Sequence, residues 1–308
     1  MISRRNIRVK VMQTLYTVAS LETEAKPGEP QKILQQHFDR TQELLTYFTW
    51  FLTEVARYPE KDAHQRANKH LPSKEDLNVN IKLAGNELLW TILDEPSFQA
   101  QVGATKPQAR TNEELIRKIY QRLKDTPEYL AYISTPERNK NDERAILEFI
   151  LNNMLLEYEP FTAHIEEMFA NWDDDGEMVI QLIAGGLQKP HSLKFSNLLN
   201  DDKKQFAFNL TRTVLEKKEY LQELIVPKLK NWDAERIALL DMILMQMGVS
   251  EFLYFDTIPP KVTINEYIDL AKEYSTQQSG QFVNGILDNI NKDLTTQGKM
   301  QKRDHRKP

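Results

Sequence analysis

Arg4, Arg5, Arg8 and Lys10 form a run of cations with no carboxylate before Glu22. Such a run can neutralise phosphates, and it falls where a helix begins. Cations there oppose the helix dipole and call for an anion or solvent to offset them. The unpaired amides of a first turn point the same way, so arginines and amides together could hold a phosphate. On a helical projection Arg5 and Arg8 flank an apolar stripe beside Met12, and Arg4 sits in the entering arm. The competing reading is an ordinary solvated basic end.

Other chemistry finds little support. Zero cysteines remove disulfides, thiolate metal sites and thiol nucleophiles together, which fits a reducing compartment. His37, His64, His70, His164, His191 and His305 show no metal-ligand spacing. Asp173, Asp174, Asp175 and Gly176 imitate the opening of a calcium loop, but Leu182 stands where a bidentate glutamate is required, so a helix-starting turn is expected. Gly185 and Gly186 read as a helix break without a phosphate-loop context. No nucleophile elbow or dinucleotide fingerprint occurs, so neither enzyme, cofactor nor metal is expected. The formal net charge of −5 on 308 residues gives no overall field to gather nucleic acid, so any RNA contact must come from local patches. No apolar run reaches the roughly 20 residues of a membrane helix, and the opening residues do not read as a signal peptide. A cytoplasmic protein with no membrane partner is the expectation.

The elements that must position these residues read as helix throughout, and the expected fold class is all-α. Ile7, Val11, Leu15 and Val18 make a core-facing stripe on the first helix. Further helices are expected near Pro30 to Arg57, Val79 to Leu93, Asn112 to Leu123, Pro136 to Leu156, Phe161 to Asn171, Asp175 to Leu187, Asp201 to Lys228, Asp233 to Val249, Thr263 to Tyr274 and Ser279 to Leu294. Turns are expected at Lys26 to Pro30 and Gly103 to Arg110. Thr263 and Glu266 have the spacing of a capping box after Pro259 and Pro260. Gly285 inside the last helix suggests a close approach by another backbone. Phe282, Ile286 and Ile290 form a buried stripe, flanked by Val283, Leu287 and Leu294. Leu44, Phe48, Phe51, Leu52 and Val55 give the middle of the chain an apolar face, so it reads as folded.

Two segments resemble the NusB family of transcription antitermination factors. Pro259, Lys261, Val262, Ile264, Asn265, Glu266, Ile268, Leu270, Ala271 and Lys272, then Phe282, Val283, Asn284, Gly285, Leu287 and Asp288, match the family's P-x-K-V-x-I-N-E-x-I-x-L-A-K and F-V-N-G-x-L-D patterns. Arg4, Arg5, Arg8, Gln13, Leu15 and Tyr16 match its opening R-R-x-x-R and Q-x-L-Y. The helix from Asp241 to Leu253 is similar in hydrophobic phase, with Met242 and Gln246 replacing two basic residues. The family's frequent S-H-K-F is Ser279, Gly280, Gln281 and Phe282 here, which loses a cation.

The resemblance implies a NusB-like helical bundle made of residues 1–20 and about 160–294. An additional helical region of unassigned role fills 21–159, and a basic, disordered tail runs over 295–308. It implies a noncatalytic factor that binds single-stranded boxA RNA together with NusE, a small-subunit ribosomal protein, during ribosomal RNA transcription, and so meets elongating RNA polymerase indirectly. A homodimer is a further implied partner, because some family members pair over their RNA surface. The implied RNA-binding residues are Arg4, Arg5, Arg8, Lys10, Gln13, Tyr16, Ser279, Gln281, Phe282 and Asn284, with Tyr16 and Phe282 offering faces for stacked bases. NusB-like domains also occur fused to RNA cytosine methyltransferases, a reading opposed by the missing cysteine. A helical scaffold without RNA binding is the remaining alternative.

Overall fold

The computed structural model describes residues 2–21, 25–196, 198–229, 237–300 and 302. Fourteen α-helices and no strand occur among them. They fall into two compact units: one of residues 39–198, the other of residues 2–38 with 199–308.

Helix α1 (Arg4–Ala19) starts at Ser3, whose side chain accepts from the Asn6 amide. Ile7, Val11 and Leu15 are buried along it as the stripe requires, while Val18 at its end is only half-buried. Helix α2 (Glu29–Ala67) begins after Gly28, whose φ of +83° suits glycine, and its first turns belong to the unit that holds α1.

In the 39–198 unit the later part of α2 buries Leu44, Phe48, Phe51, Leu52 and Val55. It continues through Pro59 to Ala67, beyond the expected end at Arg57. Tyr58 is buried there with its ring 5.1 Å from that of Tyr120. Packing of this kind holds a proline turn that local propensity disfavours. Helices α3 (Glu87–Leu93), α4 (Pro96–Thr105), α5 (Glu113–Leu123), α6 (Pro127–Ser134), α7 (Lys140–Phe149), α8 (Glu159–Met168) and α9 (Trp172–Gln188) complete the unit. A π-helical stretch, Ile150–Leu156, prolongs α7.

Several local expectations are corrected here. The helix from Val79 is absent before Glu87, because the segment is held otherwise: Lys82 Nζ donates to the carbonyls of Tyr132, Thr135 and Glu137. Helices α4 and α6, both opened by proline after a side-chain cap, escaped the periodicity reading. Gly185 and Gly186 do not break α9, since Leu193 covers Gly186 so closely that a Cβ would lie 2.7 Å from it. Asp173, Asp174 and Asp175 form the first turn of α9, as expected of a helix start.

The second unit adds α10 (Asp201–Glu216), α11 (Lys218–Ile225), α12 (Leu239–Tyr254), α13 (Pro260–Tyr274) and α14 (Gln277–Thr296). Helix α12 packs against α1, α10, α11, α13 and α14, which makes it the axis of this unit. Its residues from Ile243 to Phe252 are all buried, polar ones included. Asp233, expected to open this helix, lies outside the described residues. Gly248 on α12 lets Leu287 approach, and Gly280 on α14 lets Lys272 approach. Gly285, by contrast, has nothing within 4 Å of where a Cβ would stand, so the expected close backbone approach is not there. Val283, Ile286, Leu287, Ile290 and Leu294 are buried as expected, while Phe282 is half-buried. From the tail, Lys302 Nζ donates to the carbonyls of Glu251 and Phe255 at the end of α12, each at 2.7 Å.

Candidate nucleic-acid interface

The basic run opens α1, and the fold divides it into cations that face water and cations that do not. Arg8 is 2% exposed. Its Nε and Nη2 donate to Glu251 of α12 at 2.8 and 3.1 Å, and its Nη1 donates to Glu266 of α13 at 3.1 Å. Glu251 also accepts from the hydroxyls of Thr263 at 2.9 Å and Tyr267 at 2.8 Å. Two carboxylate oxygens thus receive four hydrogen bonds inside the helical core, which is what a buried charge requires.

Burial alone would lower the Arg8 pKa, but hydrogen bonding and the charge of Glu251 outweigh it and push the value up. Burial, with the Glu251 charge beside it, raises the Tyr267 phenol well above its ordinary range. This network explains why the expected capping box fails: Thr263 turns to Glu251, Glu266 turns to Arg8, and α13 instead starts at Pro260. It also corrects the expected phosphate role of Arg8, whose guanidinium is closed off from solvent. Lys10, 1% exposed, is likewise not presented to a ligand.

Arg4 is exposed, with its guanidinium 5.7 Å from the centre of the Phe206 ring. Arg5 is half-exposed and donates to Glu273 of α13 at 2.6 Å, with Asp269 at 4.0 Å. A surface pair of this kind contributes at most about 1 kcal/mol, so an incoming phosphate can compete for the guanidinium.

Further along α1, Gln13 and the exposed Tyr16 line an open groove of about 600 Å³ with Met12, Leu239, Tyr274 and Ser275. The structure therefore brings Gln13 and Tyr16 beside the turn between α13 and α14. That turn is built by a capping box in which the Ser279 amide donates to Thr276 Oγ1. Ser279 Oγ donates to Asp241 at 2.8 Å and meets Ser275 Oγ at 3.0 Å. Ser279 is buried and fixes the start of α14 instead of facing a ligand. Gln281 and Asn284 are exposed on α14, three residues apart and so on one face. Neither they nor Phe282 line the groove. Tyr274 is an aromatic wall that sequence reasoning missed, although its place at the end of α13, just before the α13–α14 turn, was a usable signal. Glu251 carries no local signal of its pairing with Arg8, 243 positions away.

A family model described as the NusB family matches residues 165–292. The chain is 37% identical over 139 residues to the transcription antitermination protein NusB of Salinibacter ruber, covering 45% of this chain and 82% of that protein. It is 39% identical over 99 residues to NusB of Chloroherpeton thalassium, covering 32% and 47%. To NusB of Methylacidiphilum infernorum it is 42% identical over 95 residues, covering 31% and 66%. No solved structure matches.

Proposed function

The chain belongs to the NusB family, and from that premise we propose that it is a noncatalytic transcription antitermination factor that binds boxA-type single-stranded RNA together with NusE. The observation that carries this reading is the meeting of Gln13 and Tyr16 with Tyr274 and Ser275 in one open groove on the helix that bears Arg4 and Arg5. Aromatic faces beside cations suit unstacked bases joined by phosphates, each stacked base contributing about 1–3 kcal/mol. Arg4 and Arg5 supply the phosphate contacts, Tyr16 and Tyr274 the stacking faces, and Gln13, Gln281 and Asn284 the hydrogen bonds. Phe282 is half-buried and lies outside the groove lining, while Arg8 and Ser279 hold α1 and the α13–α14 turn from within. The bound pair would tether nascent RNA to elongating polymerase in the cytoplasm.

A helical scaffold without RNA binding is the second reading. It is favoured by one observation: Arg8 and Lys10 are buried and Arg5 already has an acidic neighbour, which leaves few cations to the surface. Gel-shift titration with boxA RNA, with and without NusE, separates the two. A shift that tightens when NusE is added supports the antitermination factor. Binding to neither ligand leaves the scaffold, and a homodimer that excludes RNA would show itself as a shift appearing only on dilution.

A further inference from the structure

We propose that the cavity between α3, α7 and the end of α9 binds a nucleoside phosphate, either free or as one residue of an RNA strand. The site lies wholly in residues 39–198 and is independent of the α1 groove. Its volume is about 450 Å³, in the range of small-ligand pockets. Leu88, Leu187 and Pro190 give it apolar walls, while Lys140, Arg144 and His191 stand around it.

What marks this cavity is the state of its charges. Among the described residues neither Lys140 nor His191 has an ion-pair partner, and both are exposed. Arg144 is only loosely held, 3.8 Å from Glu148 and 3.5 Å from the Asn141 side-chain oxygen. The nearest buried carboxylate, Glu143, is already occupied. It accepts from Arg138 Nη1 at 2.8 Å, the Tyr132 hydroxyl at 2.9 Å and the Glu87 amide at 2.7 Å. One unpaired lysine, one loosely held arginine and an imidazole around an apolar hollow suit a phosphate with something flat and apolar attached to it. The exposed Glu87 carboxylate, on the same lining, can accept from a ribose hydroxyl or a base amino group, which argues for a nucleoside phosphate over a bare phosphate.

Two other cavities of this unit show the contrast. Around Trp50 and Tyr58 the cations are already paired, Arg57 with Glu54 at 3.5 Å and Lys61 with Glu113 at 2.8 Å. Between α6 and α7, Glu128 and Asp142 line a groove with no cation at all. The unit carries 26 acidic against 18 basic residues, so a cavity that gathers Lys140, Arg144 and His191 runs against its surroundings.

The test is calorimetric titration of the full chain with adenosine, inorganic phosphate, the four ribonucleoside monophosphates and an oligoribonucleotide lacking boxA. Saturable binding of a monophosphate, with adenosine and phosphate each weaker by about tenfold or more, is expected. Lys140→Gln with Arg144→Gln should weaken it at least about tenfold, and His191→Gln alone by less. All three positions lie on the surface, and melting curves like the parent's will confirm folding. If the oligonucleotide competes with the monophosphate for the site, the source is RNA. If it does not, the source is the free nucleotide. Absence of saturable binding by every nucleotide, or binding untouched by the double substitution, overturns the proposal. Arg4→Gln with Arg5→Gln should leave this binding unchanged, so its failure is distinguishable from failure of the boxA reading.

Discussion

The two units of this molecule handle charge in opposite ways. Residues 39–198 carry a net charge of −8, while residues 2–38 with 199–308 carry +3, and the total of −5 conceals both. In the basic unit the signal cations are partly withdrawn: Arg8 is sealed against Glu251, Lys10 is buried, and Arg5 rests on Glu273. In the acidic unit, Lys140 and His191 line a cavity without an ion-pair partner among the described residues. The lesson is that net charge does not locate anion binding. What matters is whether each cation has already been satisfied by its own fold.

The heaviest blow to this contrast is removal of one partner of the buried pair. Arg8→Ala or Glu251→Ala should cost about 3–5 kcal/mol, because the remaining charge is stranded in the core. Hydrogen exchange will read the loss in α1, α12 and α13, and substitution without a stability change would mean that Arg8 is a surface cation after all. Tyr267→Phe removes one hydrogen bond to the same carboxylate and should cost about 1.5–3 kcal/mol.

Next comes the groove. Tyr16→Ala should weaken boxA RNA by about 1–3 kcal/mol in a titration with NusE present, if a base stacks there. Arg4→Gln with Arg5→Gln should reduce the logarithmic salt slope by about 1.4, from roughly 0.7 per single-strand phosphate. Adding Arg8→Lys should change that slope no further, since Arg8 does not reach solvent.

The smallest effect is expected in the acidic unit. His164 Nε2 lies 2.7 Å from the Tyr47 hydroxyl, and burial lowers its pKa below the ordinary 6.5, against the opposing pull of Glu167. The unfolded chain then binds the proton more readily, so stability contributed by neutral His164 is present above pH 6.5 and is lost as the pH falls toward the folded value. Denaturation midpoints between pH 7 and pH 5 should fall more steeply for the parent than for His164→Gln.

Much of the fold was legible in sequence because it depends on periodicity. The stripe of Ile7, Val11 and Leu15, the apolar face of α2 and the apolar face of α14 all follow from the 3.6-residue repeat. The misreadings share a different cause. Thr263 and Glu266 obey a local rule, yet a partner at Glu251, and through it Arg8 some 243 positions away, takes both side chains. Pro59 and Gly186 are local breakers that tertiary packing carries within helices. Lys82 holds its segment out of a helix through three distant carbonyls. At the candidate interface the residue types were legible, but their exposure was not, because nothing in a run of cations says which of them faces a buried carboxylate.

The central claim is that RNA lies along α1 at the turn between α13 and α14. Photocrosslinking of boxA RNA in the presence of NusE, with the attached peptides identified by mass spectrometry, tests it most directly. Adducts on Tyr16 and Tyr274 are predicted. Adducts confined to residues 39–198, with none on α1 or α13, would contradict it.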